Sequence, residues 1–250
     1  MRRTDVPVAQ SKVGINSDMG ESIGIHSFGN DEALLGIVDT VNVACGMHAG
    51  DPSAMRIVVE NAIRAGVTIG AHPGLPDIVG FGRREMALDA DEVRDLIRYQ
   101  VGALVGFLEA AGATLHHIKP HGALFHMVAR SVDLMGAVCD VAEQYEVPIF
   151  GLPGTLHESV TTERGLPFVR EFYVDLDYND DGTIRVNRTG RTPDLEAVSC
   201  RVTEVLEGKA VAASGRPLAV EADSFCIHSD LPNAVAVAET VRSVLTARQS

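Results

Sequence analysis

The chain has 250 residues, 46% of them hydrophobic, four cysteines and a formal net charge of −13. That size supports a self-sufficient core, and the acidic surface argues against nucleic acid or an anionic membrane as partner. Cysteines at 45, 139, 200 and 226 form no CxxC pair, which argues against a zinc ribbon or redox dithiol and for free thiols in a reducing, cytoplasmic compartment. Residues 1–12 start basic but lack an apolar segment, so they read as a flexible tail and not as a secretory signal. No window approaches the roughly 18 apolar residues of a membrane span. Residues 13–250 read as a single domain.

In chain order, strand-like 13–16 leads into SDMGESIG, and 39–45 is a second strand. Residues 51–66 read as a helix, with Asp51 as N-cap, Pro52 at its first position and Gly66 at its end. A third strand spans 67–73. A long helix spans 89–112, capped by Asp89 and stopped by Gly112. A fourth strand (114–121), a helix (132–145) and a fifth strand (147–154) follow. Residues 168–188 read as extended chain around the turn NDDG, 194–208 as a helix, 209–222 as a small hairpin, 224–230 as a strand and 232–248 as a closing helix. Strands alternating with helices imply parallel βαβ units. About seven such units point to a β/α barrel, with a doubly wound open sheet as the rival.

Chemistry-bearing residues gather where these strands end. The first gives Asn16, Asp18 and Glu21, the second Cys45 and His48, the third His72, the fourth Lys119 and His121, the last His228 and Asp230. In parallel α/β folds those ends carry the active site. Any one of these histidines alone would pass for a hydrogen-bonded core residue, but four strands ending in His argue for one shared mouth. Glycines beside His48 let a loop present its imidazole to a ligand. His116, His117, His126 and His157 fall outside the pattern and read as ordinary; His26 is ambiguous; Tyr99 and Gln100 read as packing residues. The arginines of GFGRRE, Arg83 and Arg84, fit either a solvated loop or a clamp for carboxylate or phosphate. No phosphate-binding GxxxxGK[ST], GxGxxG, GxSxG or HExxH motif is present. Two chemistries remain: acid–base work by carboxylate and histidine, and divalent metal chemistry, for which Asp18, His48 and His72 would make an Asp/His/His set.

The motifs NSDMGES, VNVACGMHAGDP, GAHPGLPDIVGFGRRE, YQVGAL, KPHGALFH and FCIHSDLPNAV, in this order, resemble the LamB/YcsF family, described as lactam utilisation proteins or as the 5-oxoprolinase A subunit. The resemblance runs from about residue 13 to 247. It implies a distorted seven-stranded, TIM-like β/α barrel similar to polysaccharide deacetylases. It implies ATP-dependent opening of 5-oxoproline to L-glutamate, with ATP and Mg²⁺ as co-substrate and the B and C subunits as partners. A homo-oligomer is left open. Asp18, Glu21, His48, His72, Lys119 and His121 are then the expected catalytic residues. Asn16, Asn42, Cys45, Gly46, Arg83, Arg84, His228 and Asp230 are the expected substrate-binding ones. Two alternatives stand beside this: a metal-dependent hydrolase of another lactam or amide without ATP, and a substrate-binding subunit without catalysis of its own. Departures fall in the last third. Leu176 of YVDLDY replaces the family's arginine, RVNR stands where VPR is expected, and Ser229 of HSD replaces a glycine. These bear on which lactam is accepted.

Overall fold

A computed structural model describes residues 13–185 and 192–248; the expected tail at 1–12 and most of RVNR lie outside the described residues. The elements in chain order are β1 (Gly14–Met19), α1 (Asp31–Leu34), β2 (Thr40–Ala44), α2 (Pro52–Ala65), β3 (Thr68–His72), α3 (Ala90–Ala110), α4 (Gly122–Val128) and α5 (Val132–Tyr145). They continue as β4 (Ile149–Gly151), α6 (Leu156–Glu163), β5 (Phe168–Tyr173), β6 (Asp177–Tyr178), β7 (Ile184–Arg185), α7 (Leu195–Leu206), β8 (Ser224–His228) and α8 (Ala234–Ala247).

Local chemistry sets most of these boundaries. The Asp51 carboxylate accepts the Ser53 and Ala54 amides, Pro52 opens α2, and Gly66 closes it with a left-handed φ of 72°. Asp89 and Glu92 form a reciprocal capping box at α3. Asp194 caps α7 through the Ala197 amide. The short helices α1, α4 and α6 were not legible as periodic segments.

Six strands form one parallel sheet in the order β3-β2-β1-β8-β5-β4. Its two edges meet through Ile118, which bridges Ala71 of β3 and Ile149 of β4. The expected fourth strand, 114–121, thus contributes one bridging residue to a curled, barrel-like sheet. Its backbone still bonds both ways, the Lys119 amide to the Ala71 carbonyl (2.9 Å) and the Phe150 amide to the Ile118 carbonyl (3.0 Å). Pro120 has no N–H with which to extend the ladder. The stretch 168–188 divides into β5 and the antiparallel β6–β7 pair, and Val211 pairs with Pro217 in the expected hairpin.

Apolar helix faces cover the sheet, with α3 against α5 and α7 against α8. One alternating set of strand residues instead carries polar groups into the interior: Asn16, Asp18, Asn42, Glu171, Cys226. Among the described residues no single helix is long and apolar enough to cross a membrane.

Candidate active site

Strand register assembles the site. Parallel pairing places Asn42 of β2 and His228 of β8 directly beside Asp18 of β1. Asp18 Oδ1 accepts from Asn42 Nδ2 (2.7 Å) and Lys119 Nζ (3.0 Å), while Oδ2 lies 3.3 Å from His72 Nε2 and 4.0 Å from His228 Nε2. Burial would raise this carboxyl, but His72 and Lys119 at its oxygens hold it well below the usual carboxylate range. Asp18 is therefore an ionised acceptor at neutral pH.

Lys119 is buried and fully engaged. Besides Asp18, its ammonium meets Glu171 Oε1 at 3.0 Å, Cys226 Sγ at 3.1 Å and Asn16 Oδ1 at 3.3 Å. Burial favours the neutral amine, yet Asp18, Cys226 and Glu171 push it well above the ordinary lysine value. Lys119 compensates two carboxylates and has no donor free for a substrate. The orientation of Asn42 is set from behind, where His117 Nε2–H donates to its Oδ1 at 2.6 Å.

Three histidines cluster beside Asp18. His72 Nδ1–H donates to the Lys119 carbonyl (2.8 Å), and His121 Nε2–H donates to the Phe81 carbonyl (2.8 Å). The remaining nitrogens, His72 Nε2 and His121 Nδ1, face one another at 2.9 Å. Burial, His48 and His72 push His121 well below the ordinary histidine value, so it is neutral and its Nδ1 is an acceptor. His48 lies flat on His121, with ring centres 3.6 Å apart. It is buried, both its nitrogens lack a hydrogen-bond partner, and its Nε2 is 3.7 Å from Glu21 Oε1. Burial and its histidine neighbour push it well below the ordinary value, so it is neutral.

Glycines make room for that ring. A Cβ on Gly74 would stand 2.4 Å from His48 Nδ1, and one on Gly82, at φ +64°, 2.7 Å from His48 Cβ. Gln100 holds Gly74 in place: its amide accepts from the Gly74 N–H and donates to the Gly74 carbonyl, both at 2.9 Å. Gln100 is therefore a polar clamp as well as a packing residue. Tyr99 is exposed.

Glu21 carries the opposite electrostatics to Asp18. Burial, Asp18 and Asp230 raise it well above the usual carboxylate range. A carboxyl whose folded value exceeds its unfolded one loses stability as pH rises from the unfolded value toward the folded one. Glu21→Gln, which is permanently neutral, is expected to melt above wild type at pH 8. The gap should close toward pH 4. Equal melting temperatures at both pH values would refute a neutral Glu21.

The other expected residues fall around this centre. Cys45 is buried, donates to the Val43 carbonyl, and has its thiol pushed up to about 12 by burial. Gly46 follows it with φ 88°. Arg84 forks onto buried Asp77, which also accepts the Gly80 amide, so it braces the 77–84 loop. Arg83 reaches the mouth, 3.8 Å from Asp230 and over the Phe81 ring. A cavity of about 990 Å³ opens above Asp18, lined among others by His72, Arg83, Lys119, Tyr173 and His228. Asn16, Asn42, Glu21 and His48 lie outside its lining and support it from beneath. Arg201 of α7 donates to the carbonyls of Val174 and Leu176, placing a guanidinium beside the position where the expected arginine is absent.

Among the described residues, potential metal-binding atoms come within 4.8 Å of one another in two separate groups: Glu21, His48, His72 and His121, and Asp18, Cys226 and His228. Asp18 and His48 fall in different groups, so the set Asp18/His48/His72 is not assembled as such. In the first group the His48 and His121 planes differ by only 6° and are stacked, so their in-plane lone pairs do not converge on one point. In the second, the Lys119 ammonium already stands at Asp18 and Cys226.

Glu171, Asp175, Cys226 and His117 were not singled out as site residues from sequence. A lone Glu inside the buried stretch FVREFY was the available signal for Glu171. His157 is a structural histidine, accepting the Leu152 amide and donating to the Phe125 carbonyl.

The LamB/YcsF family profile matches residues 13–250. The 5-oxoprolinase A subunit of Tolumonas auensis is 42% identical over 240 residues, 94% of this chain and 96% of that one. The protein of that name from Bacillus licheniformis is 43% identical, covering 95% and 96%. The crystal structure of a lactam utilization protein from Thermus thermophilus superposes with a TM-score of 0.88 at 40% identity, covering 96% of this chain and 98% of that one. A profile spanning every described residue, relatives matched almost end to end, and a shared three-dimensional fold together mean that this chain belongs to the LamB/YcsF family.

Proposed function

We propose that this chain is the A subunit of an ATP-dependent 5-oxoprolinase, acting in the cytoplasm with B and C subunits, and that its cavity opens the lactam of 5-oxoproline to L-glutamate. The observation that carries the chemistry is Asp18: a buried, ionised carboxylate at the cavity floor, held between Lys119 and the His72–His121 pair. The substrate comes from the names of relatives more than 40% identical.

An unstrained amide carbonyl is a poor electrophile. Phosphoryl transfer from ATP with Mg²⁺ to the lactam oxygen makes it a good one. Water adds to the activated carbon, giving up its proton toward Asp18 through His72. The amine then departs and leaves an acyl phosphate, which a second water converts to glutamate and phosphate. Lys119 keeps Asp18 charged, and His121 holds His72 in orientation. Glu21 stays neutral beneath the cavity, so Asp18 is the ionised one of these two carboxyl groups. Arg83 at the mouth is suited to a carboxylate or phosphate of the substrate. Arg84 acts by fixing the loop that carries it.

The test is glutamate released from 5-oxoproline with ATP and Mg²⁺, by this chain with and without its B and C partners. Glutamate formed only with partners and matched by ADP is the expected result. ATP-independent hydrolysis by the chain alone, with a stoichiometric tightly bound metal, would replace this reading with that of a metal-dependent amidase. An assembled complex that turns over another lactam but not 5-oxoproline would assign the altered specificity to the region around Leu176 and Ser229.

A further inference from the structure

One histidine–carboxylate pair at the cavity wall has no role in the mechanism above. Asp175 follows β5 and is buried; its Oδ2 receives His228 Nδ1–H at 2.6 Å, while its Oδ1 has no hydrogen-bond partner. Its charge is thus committed to one imidazole. His228 ends β8, and its ring lies near-parallel to Tyr173 at 5.7 Å, so its plane is fixed from a second side. With Nδ1 engaged, the free nitrogen is Nε2, which faces the cavity 4.0 Å from Asp18 Oδ2. A reacting atom seated above the two can lie about 3 Å from both.

Access separates His228 from the other histidines. The side chains of His48 and His72 are 0% and 2% exposed, and His228 is 20% exposed. A group that gives up a proton in every turnover must recover one from water, and of these three only His228 is open to it.

We infer that His228 is the proton donor to the departing lactam nitrogen and that Asp175 is the residue that positions it. This rests on the 5-oxoprolinase reading and deepens it. In the tetrahedral species the nitrogen lone pair takes the proton from His228 Nε2. The carbon–nitrogen bond then breaks with its electron pair going to nitrogen, and the carbonyl reforms as the acyl phosphate. The neutral imidazole regains its proton from water at the cavity mouth. The groups facing His228 are Asp175 and Tyr173 from β5 and the loop after it, Asp18 and Glu21 from β1 and its loop, and Asp230 beyond β8. Burial would lower its value, but Asp175, Asp18 and Asp230 raise it to about 9, so the donor form predominates at neutral pH.

The test has two arms on the full chain. In the first, the His228 ring resonance, assigned through His228→Gln, is titrated by NMR. Asp175→Asn is expected to bring its midpoint from about 9 toward the ordinary histidine value of about 6.5. Asp175→Glu, which restores a carboxylate, is expected to recover part of the elevation. An unchanged midpoint in a folded Asp175→Asn chain overturns the dyad. In the second arm, with the partner subunits, the alkaline limb of kcat should move with that midpoint. Asp175→Asn should lower kcat about 10²-fold with KM changed less than about threefold. A raised KM at unchanged kcat would make His228 a clamp for the substrate carboxylate and overturn the proton-donor role. A wild-type complex that forms no glutamate overturns the parent reading and with it the lactam-nitrogen role, while the titration still decides the dyad.

Discussion

Asp18→Asn is expected to lower kcat for ring opening by about 10²–10⁴-fold, the range over which a positioned general base contributes. The amide keeps the shape of the carboxylate. Its oxygen can still accept from Asn42 Nδ2 and Lys119 Nζ, which now meet Asp18 Oδ1 at 2.7 and 3.0 Å. Its NH₂, however, would face His72 Nε2, 3.3 Å from the present Oδ2, and His228 Nε2, 4.0 Å from it. A proton passed from water to His72 would find no carboxylate to compensate it. Stability should follow a separate course. Because the folded carboxyl is held well below its unfolded value, Asp18 stabilises the fold above the ordinary Asp value of 3.8, and that contribution fades as pH falls through the folded value. The variant should thus melt below wild type at pH 7, with a smaller gap in acid, yet remain folded because Lys119 retains Glu171. Circular dichroism and steady-state kinetics on one preparation check both parts. A folded variant with near-wild-type kcat would remove Asp18 from the mechanism.

The second large effect concerns Lys119. Lys119→Met is expected to destabilise the chain by about 3–5 kcal/mol, because it strips the compensating cation from two buried carboxylates. That is a large share of the roughly 5–15 kcal/mol that holds a domain of ordinary stability. The cost should lie mainly in uncompensated charge and only secondarily in lost packing, since Met fills much of the same volume. Adding Glu171→Gln to Lys119→Met should therefore recover part of the loss, measured as the shift of the urea midpoint at unchanged m-value. A double variant less stable than Lys119→Met alone would show that Glu171 contributes by packing or by its contact with the Tyr173 hydroxyl (3.3 Å). Activity should fall with Lys119→Met even where the chain stays folded, because Asp18 loses the ammonium at its Oδ1.

The place of the candidate site, as a cluster of polar side chains, was legible from local pattern. Strand alternation and helix caps such as Asp51 and Asp89 depend on neighbours one to four residues away, and they set the element boundaries. Polar residues at successive strand ends placed Asp18, His72, Lys119, His121 and His228 at one mouth, and the cavity brings them together. The 114–121 segment was legible as extended chain. That only Ile118 would bridge the sheet edges depended on the curl of the whole sheet and on Pro120.

What each residue does was decided by the tertiary structure. Arg83 and Arg84 are adjacent in sequence, yet one reaches the mouth and the other is spent on Asp77, because buried Asp77 turns toward the second guanidinium. Glu171 carries no motif of its own, and Asp175 lies in the YVDLDY stretch without being singled out as a site residue. One becomes a counter-charge because Lys119 arrives from across the barrel, the other because β8 brings His228 beside it. Asp18 and Glu21 lie three residues apart in one loop-forming stretch, and their charge states diverge because only Asp18 meets cations at its oxygens. Residue type and periodicity are properties of a short window of chain. Burial and the sign of the nearest charge are set by strands brought together from opposite ends of it. The sequence alone therefore determined the fold class and which polar residues gather at the strand ends, while protonation and division of labour waited on the packing.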